Sequence, residues 1–186
     1  MSRDYAAMPP NAVRRTDRAI DDEQWIAAFL QRAAFGALAT VHDGQPFINT
    51  NLFVYDETRH AIYTHTARVG RTQANVSEDD AARVCFSISE MGRLLPAEEA
   101  LEFSVEYSGV AVFGTAQIIE GDEARYGLQL LLDKYAPHLR PGRDYRPIAD
   151  DELKRTAVYK ISIESWSGKR KQVADDFPGA FWYGQG

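Results

Sequence analysis

The sequence predicts a mainly β fold, an antiparallel barrel or sandwich with a few helices attached. Three observations lead there. Roughly six segments alternate apolar with polar residues over strand lengths. Asp43-Gly44 lies between two of them as a tight hairpin signal. The strand-like runs follow one another through short turns instead of alternating with helices, which argues against a doubly wound parallel sheet.

Composition sets the outer limits. With 186 residues, 45% hydrophobic and 26% charged, the chain fits one domain with a sizeable core, and neither a repeat nor a composition shift divides it. The formal net charge of -6 argues against a broad nucleic-acid footprint, and no apolar run is long enough to span a membrane. The N-terminus lacks the apolar centre of a secretory signal, and the single cysteine, Cys85, has no internal disulfide partner. These features predict a cytoplasmic protein with small-molecule or protein partners.

Each element can be justified in order. Residues 1–20 mix Arg, Asp, Pro and Ala without periodicity and read as an arm that wraps a surface or stays mobile. Asp21-Asp22-Glu23-Gln24 has the pattern of a helix N-cap with a reciprocal third residue, and Trp25, Ile26, Phe29, Leu30 and Ala33 recur at helical spacing. An amphipathic helix is therefore predicted to end before Gly36. Strands over 36–42, 46–55 and 61–65 form a meander joined by the Asp43-Gly44 and Thr58-Arg59-His60 turns. A short helix over 72–77, a strand over 82–89 and a polar, proline-containing connection over 91–101 come next.

Residues 102–119 suffice for one bent strand or two, with Gly109 and Gly114 as bends or bulges. A helix starts at Asp122 and stops before Pro137, with Leu128, Leu131, Leu132 and Tyr135 on its buried side. A basic loop over 138–147, a short helix near 150–155 and a last strand over 158–163 lead into a tail from Ser165. Residues 21–171 are assigned to the domain and 172–186 to an aromatic tail, whose Phe177, Phe181, Trp182 and Tyr183 are expected to dock.

Chemistry concentrates where the 61–65 strand meets the 72–77 helix. The run Ile62-Tyr63-Thr64-His65 leads through Gly70-Arg71 into Thr72, and a strand feeding a helix start beside an arginine fork suits a phosphate. An ordinary strand-to-helix corner with a surface arginine is the competing reading. The chain contains no G-x-G-x-x-G, Walker A or G-x-S-x-G pattern, and its four histidines lack zinc-ligand spacing. Cys85, between apolar neighbours, reads as a small sheet residue and not as a reactive thiol.

The order of a strand, an Asp-Gly turn, a strand containing Asn49-Thr50-Asn51-Leu52-Phe53-Val54-Tyr55-Asp56, then Ile62-Tyr63-Thr64-His65 and Gly70-Arg71 resembles the pyridoxamine 5′-phosphate oxidase-like, FMN-binding split-barrel superfamily. Within it the histidine after the third strand looks most like the nitroimidazole-resistance branch and its flavin-nucleotide-binding relatives. The resemblance covers residues 27 to about 171. It implies a homodimer of six-stranded antiparallel Greek-key split barrels, with FMN in a groove between subunits.

Carried over residue by residue, the resemblance sets Asn49, Thr50, Asn51 and Leu52 along the isoalloxazine edge. Tyr63 and Thr64 fall toward the ribityl phosphate and Arg71 on the phosphate. Many members have lysine where this chain has Thr72; Lys169, in a Ser-Gly-Lys context, is the candidate for the missing charge. Trp166 is expected to pack on the flavin across the dimer interface, and His65 to stand beside the ring as an acid, base or hydrogen-bond donor.

What the resemblance implies is an FMN-dependent oxidoreductase that reduces nitro compounds, quinones or related small acceptors, with NAD(P)H as a candidate reductant. A non-catalytic flavin-binding, storage or sensing protein, and a dimeric barrel holding deazaflavin or haem, are the alternatives. Pyridoxamine 5′-phosphate oxidase activity itself is not expected, because Trp166-Ser167-Gly168-Lys169-Arg170-Lys171 lacks the Arg-x-His such oxidases use for substrate.

Overall fold

Alternating apolar residues build eight strands: β1 Ala19–Ile20, β2 Gly36–His42, β3 Gln45–Asn51, β4 Phe53–Asp56, β5 Ala61–Ala67, β6 Ala82–Leu95, β7 Ser104–Ile119 and β8 Thr156–Lys171. Among the described residues four α-helices accompany them, besides three short 3-10 turns: α1 Glu23–Arg32, α2 Arg71–Ser77, α3 Gly121–Tyr135 and α4 Asp150–Leu153. The computed structural model describes residues 4–77 and 81–184. The first three residues of the expected arm and the last two of the expected tail lie outside the described residues.

All strand pairs are antiparallel, in the order β3-β2-β6-β7-β8-β5-β4, with β1 added to β8. The two ends of this path, β3 and β4, are one stretch of chain interrupted only at Leu52. A single bent strand thus joins both edges and curls the sheet into a barrel, which removes the edges an open sheet would expose. With β3 and β4 taken as that one strand and the two-residue β1 set aside, six long strands remain, as the resemblance implies.

The interior is filled by Phe29, Leu38, Phe53, Ile62, Phe86, Val112, Tyr159 and Ile161, all 1% exposed or less. α1 caps it with Ile26, Phe29 and Leu30, and its N-terminus is satisfied by Asp22, which accepts from the Gln24 and Trp25 amides at 2.9 and 3.2 Å. α3 packs outside the barrel on β5, where Ala61, Tyr63 and Leu131 form a second apolar cluster. Gly127 permits that approach, because a Cβ there would sit 2.7 Å from the Tyr63 ring.

Several sequence expectations change. Residues 91–95 continue β6 instead of starting a connection, because β7 pairs alongside them past a register shift between Met91 and Leu94. β8 runs eight residues beyond the predicted end at 163, so Trp166 and Lys169 are strand residues, paired with Val112 and Gly109 on β7, and not part of a tail. The polar alternation of that segment hid a strand whose hydrogen bonds are made by β7 on one side and β1 on the other.

Residues 104–119 are one strand. The bulge opposite Gly114 belongs to β8, where Glu164 is the extra residue between Ile163 and Ser165, and a Cβ on Gly114 would clash with the Ser162 carbonyl oxygen, while Gly109 sits in unbroken register with Ser89. On α3 the buried positions are Ala124, Gly127 and Leu131; of the predicted Leu128, Leu131, Leu132 and Tyr135, Leu131 is buried and the other three are half-buried. The small residues and Leu131 make the close contact, and Leu128, Leu132 and Tyr135 lie beside it.

The tail folds back on the barrel. Arg93 Nε donates to Glu106 Oε2 at 2.8 Å, and its Nη atoms donate to the Ala174 and Asp175 carbonyls at 3.1 and 2.8 Å. The Val173 amide donates to Glu106 Oε1 at 2.9 Å, and Leu94 and Phe181 exchange backbone bonds like strand neighbours. The Arg93 guanidinium and the Val173 amide hold the Glu106 carboxyl down at about 2.

Candidate functional site

The kink at Leu52 organises the site. Thr64 Oγ1, fully buried on β5, donates to the Leu52 carbonyl at 2.8 Å. Tyr135 Oη, at the end of α3, accepts from the Phe53 amide at 3.1 Å and donates to the Ala34 carbonyl at 2.6 Å. Lys134 Nζ donates to the Phe53 and Leu30 carbonyls at 2.9 and 3.3 Å over the Phe53 ring. Burial pushes its ammonium down to about 8. Backbone groups that the break between β3 and β4 would leave unpaired are thereby satisfied, and the bend is fixed.

Around this kink several predicted residues converge. Asn49 Nδ2 donates to Thr72 Oγ1 at 3.2 Å, which ties β3 to the first turn of α2. Thr50 and Leu52 are exposed. Asn51 Nδ2 is sealed from water and has no hydrogen-bond partner, and the same holds for His65 Nδ1. His65 lies beyond Thr64 on β5, and burial lowers its pKa. Arg71 opens α2 and is exposed, and among the described residues it pairs with no carboxylate, whereas nearby Arg68 is taken by Glu120. α2 has only seven residues, so its end has little macrodipole to offer, and an exposed guanidinium is chemically the stronger partner for an anion.

Other expectations fare differently. Tyr63 is 0% exposed, its ring under α3 against Tyr126 and its hydroxyl accepting from Arg59 Nη1 at 3.2 Å. Its neighbour Thr64 points into the barrel, so neither side chain reaches the surface on which Arg71 stands. Alternation along a strand forces this: Tyr63 and His65 share the outer face, and Thr64 takes the inner one. Trp166 packs edge-on against His60 and Tyr55 at 4.7 and 6.0 Å, beside the β4–β5 turn. His60 is therefore part of an aromatic cluster and not a bare turn residue. Val158 is the β8 partner of His65, and Trp166 lies eight residues further on, roughly 25 Å along the strand. One chain alone does not bring Trp166 or Lys169 to Arg71.

Beside His65 the structure opens a cleft of about 580 Å³ that sequence reading did not anticipate. Leu52, Leu128, Leu131, Leu132, Leu139 and Ile148 form its walls. The available signal was α3's apolar stripe, wider than the contact made by Ala124 and Gly127 requires. Cys85 is half-buried in β6, with burial raising its thiol pKa, consistent with a packing role. Among the described residues no group of three or more His, Cys, Asp or Glu is placed to hold a metal ion, and no helix is long and apolar enough to cross a membrane.

The family model for pyridoxamine 5′-phosphate oxidase matches residues 22–170. This chain belongs to that family. No curated protein matches it in sequence. Among solved structures it is similar to the flavocytochrome Anf3 from Azotobacter vinelandii, with TM-score 0.73 and 22% identity over 89% of this chain and 76% of that one. It is also similar to the FAD and heme binding protein from Mycobacterium smegmatis, with TM-score 0.73 and 21% identity over 84% of this chain and 74% of the other. A proposed 5-nitroimidazole antibiotic resistance protein from Bacteroides thetaiotaomicron follows, with TM-score 0.66 and 19% identity over 82% and 86%. At these identities the likeness is one of fold, and it bears out the split barrel expected from the sequence.

Proposed function

We propose that this family member binds a flavin nucleotide, FMN, and serves as a flavin-dependent oxidoreductase for small acceptors. The observation that carries the reading is an arginine at the start of α2 that pairs with no carboxylate among the described residues, tied to β3 by the Asn49–Thr72 hydrogen bond, with an orphaned buried donor at Asn51 Nδ2 two residues along that strand from Asn49. A phosphate monoester carries nearly two charges and matches a free guanidinium. The polar edge of a flavin ring offers acceptors for an orphaned amide, so the donor set fits the group. The family and the names of two structural neighbours, one a flavocytochrome and the other an FAD and heme binding protein, support a flavin without fixing which one.

In this reading Arg71 holds the phosphate, and Thr50, Asn51 and Leu52 line the ring. Asn49 and Thr72 support them from behind through their mutual hydrogen bond. Trp166 and Lys169 belong to the site only as residues of a second copy in a C2 dimer, since within one chain they lie far along β8. The bound flavin would supply two-electron storage. His65, kept neutral by burial, acts as a hydrogen-bond donor to developing negative charge and not as a cationic acid at neutral pH.

The test compares two ligands. Arg71→Ala should weaken FMN by about 2 kcal/mol, the scale of a charge-assisted hydrogen bond, and barely change riboflavin, which lacks the phosphate. Fluorescence titration reads both affinities. Equal losses for the two ligands, or no flavin binding by the unaltered protein, would refute the assignment.

A further inference from the structure

His65 has one ring nitrogen without a partner and one still available. Nδ1 is sealed and makes no hydrogen bond; the residue lines the cleft, which leaves Nε2 as the nitrogen open to an occupant. A neutral imidazole carries a single N–H, and orphaned buried N–H groups are rarer than under-satisfied acceptors. The proton is therefore best placed on Nε2, with only a lone pair buried at Nδ1. The cleft then presents an N–H donor to its occupant. A metal-bound occupant is disfavoured on the same grounds, because ligation through Nε2 would put the proton on Nδ1, where ligating histidines normally have a second-shell acceptor and this one has none.

The remaining cleft chemistry points the same way. Arg146 is paired with Glu152 at 3.3 Å, and Glu152 also accepts from the Ala149 amide at 2.8 Å, so the rim offers no unpaired charge. Tyr145 Oη accepts from Gln129 Nε2 at 2.9 Å, leaving its own proton free to donate. A cavity of about 580 Å³ with leucine walls and a few donors is of the size and character that hold small molecules.

We infer that this cleft is the acceptor site, built for an uncharged, mostly apolar molecule of the quinone class whose carbonyl oxygen receives a hydrogen bond from His65 Nε2. Calling that molecule an electron acceptor rests on the flavin reading; its binding does not.

Calorimetric titration separates the two. Menadione, a neutral naphthoquinone, and 2-methylnaphthalene, similar in shape but without oxygens, are titrated into the full chain, its His65→Ala variant and its Leu132→Glu variant. The unaltered protein should prefer menadione by about threefold to tenfold, the worth of one hydrogen bond. His65→Ala should erase that preference while still binding the hydrocarbon, and Leu132→Glu should weaken both ligands at least tenfold by placing a charge in the wall. Equal binding of the two ligands by the unaltered protein, a preference that survives His65→Ala, or no binding of either overturns the inference. FMN titrated into the same preparations keeps the outcomes apart. Menadione failing while FMN binds sinks the cleft assignment alone; FMN failing while menadione binds as described sinks the flavin reading and leaves the cleft.

Discussion

Replacing Gly127 by alanine sets two effects of known sign against each other. In a helix interior the change gains about 0.8–1.0 kcal/mol of propensity. Against this, the new Cβ would lie 2.7 Å from Tyr63 Cδ1 and 3.2 Å from Cγ, on a ring that is 0% exposed and already packed against Tyr126. Carbon atoms settle at about 3.5–4.0 Å, so α3 would have to retreat by roughly 1 Å, and overpacking of this kind costs about 1–3 kcal/mol. The net expectation is a loss of about 1 kcal/mol, or roughly 2–4 °C in Tm for a chain of this size.

Tyr63→Ala removes the Cγ and Cδ1 atoms in conflict, and in that background Gly127→Ala should stabilise by its propensity gain alone. Urea or thermal melts of the four proteins give the coupling directly. If Gly127→Ala stabilises both backgrounds equally, α3 is not held against β5 by this contact, and the reason given for the glycine is wrong. Because Leu128 and Leu132 line the cleft from the same helix, a retreat of α3 should also change menadione affinity.

Two further expectations concern the tail and the assembly. Glu106 has its pKa depressed to about 2 by Arg93 first and the Val173 amide second. Its hold on the tail should be complete above the ordinary value of 4.5 and fade as pH falls toward 2; Trp182 fluorescence anisotropy should report that release, and Glu106→Gln should loosen the tail already at pH 7. An unchanged Trp182 signal in Glu106→Gln would refute the clamp. Sedimentation of the FMN-loaded protein at micromolar concentration should give twice the chain mass; a monomer with flavin bound would refute the two-chain site.

Much of the fold was legible because period-two alternation and turn chemistry are local. The Asp43-Gly44 hairpin, with Asp43 at φ 49 and Gly44 at φ 75, and the Asp22 cap needed nothing beyond their neighbours. What escaped was set by partners distant in sequence. The second half of β8 is polar on paper and becomes a strand because β7 and β1 flank it. Tyr63 and Thr64, adjacent in a motif, part company because a strand sends them to opposite faces. His65 could be singled out by its position late in a strand that leads to the Gly70-Arg71 corner. Its cleft could not, since the walls come from α3 and from the segment between α3 and α4, some 60 to 90 residues later.

The seam at Leu52 also sets a timetable. β5 has β4 on one side and β8 on the other, and Ala61 meets Ser162 about a hundred residues downstream. Pairings of that range are slow, because the loop entropy is spent before any contact repays it. During synthesis the β2–β3 hairpin and the β4–β5 pair can form early, but His65 acquires its β8 neighbour Val158 only after α3 and α4 have been made. A nascent chain cut short before residue 156 has the arginine, both asparagines and the histidine, yet it lacks the strand that holds β5 in place. Ligand capture is therefore a late event, and a truncated chain should remain unable to bind however complete its motif appears.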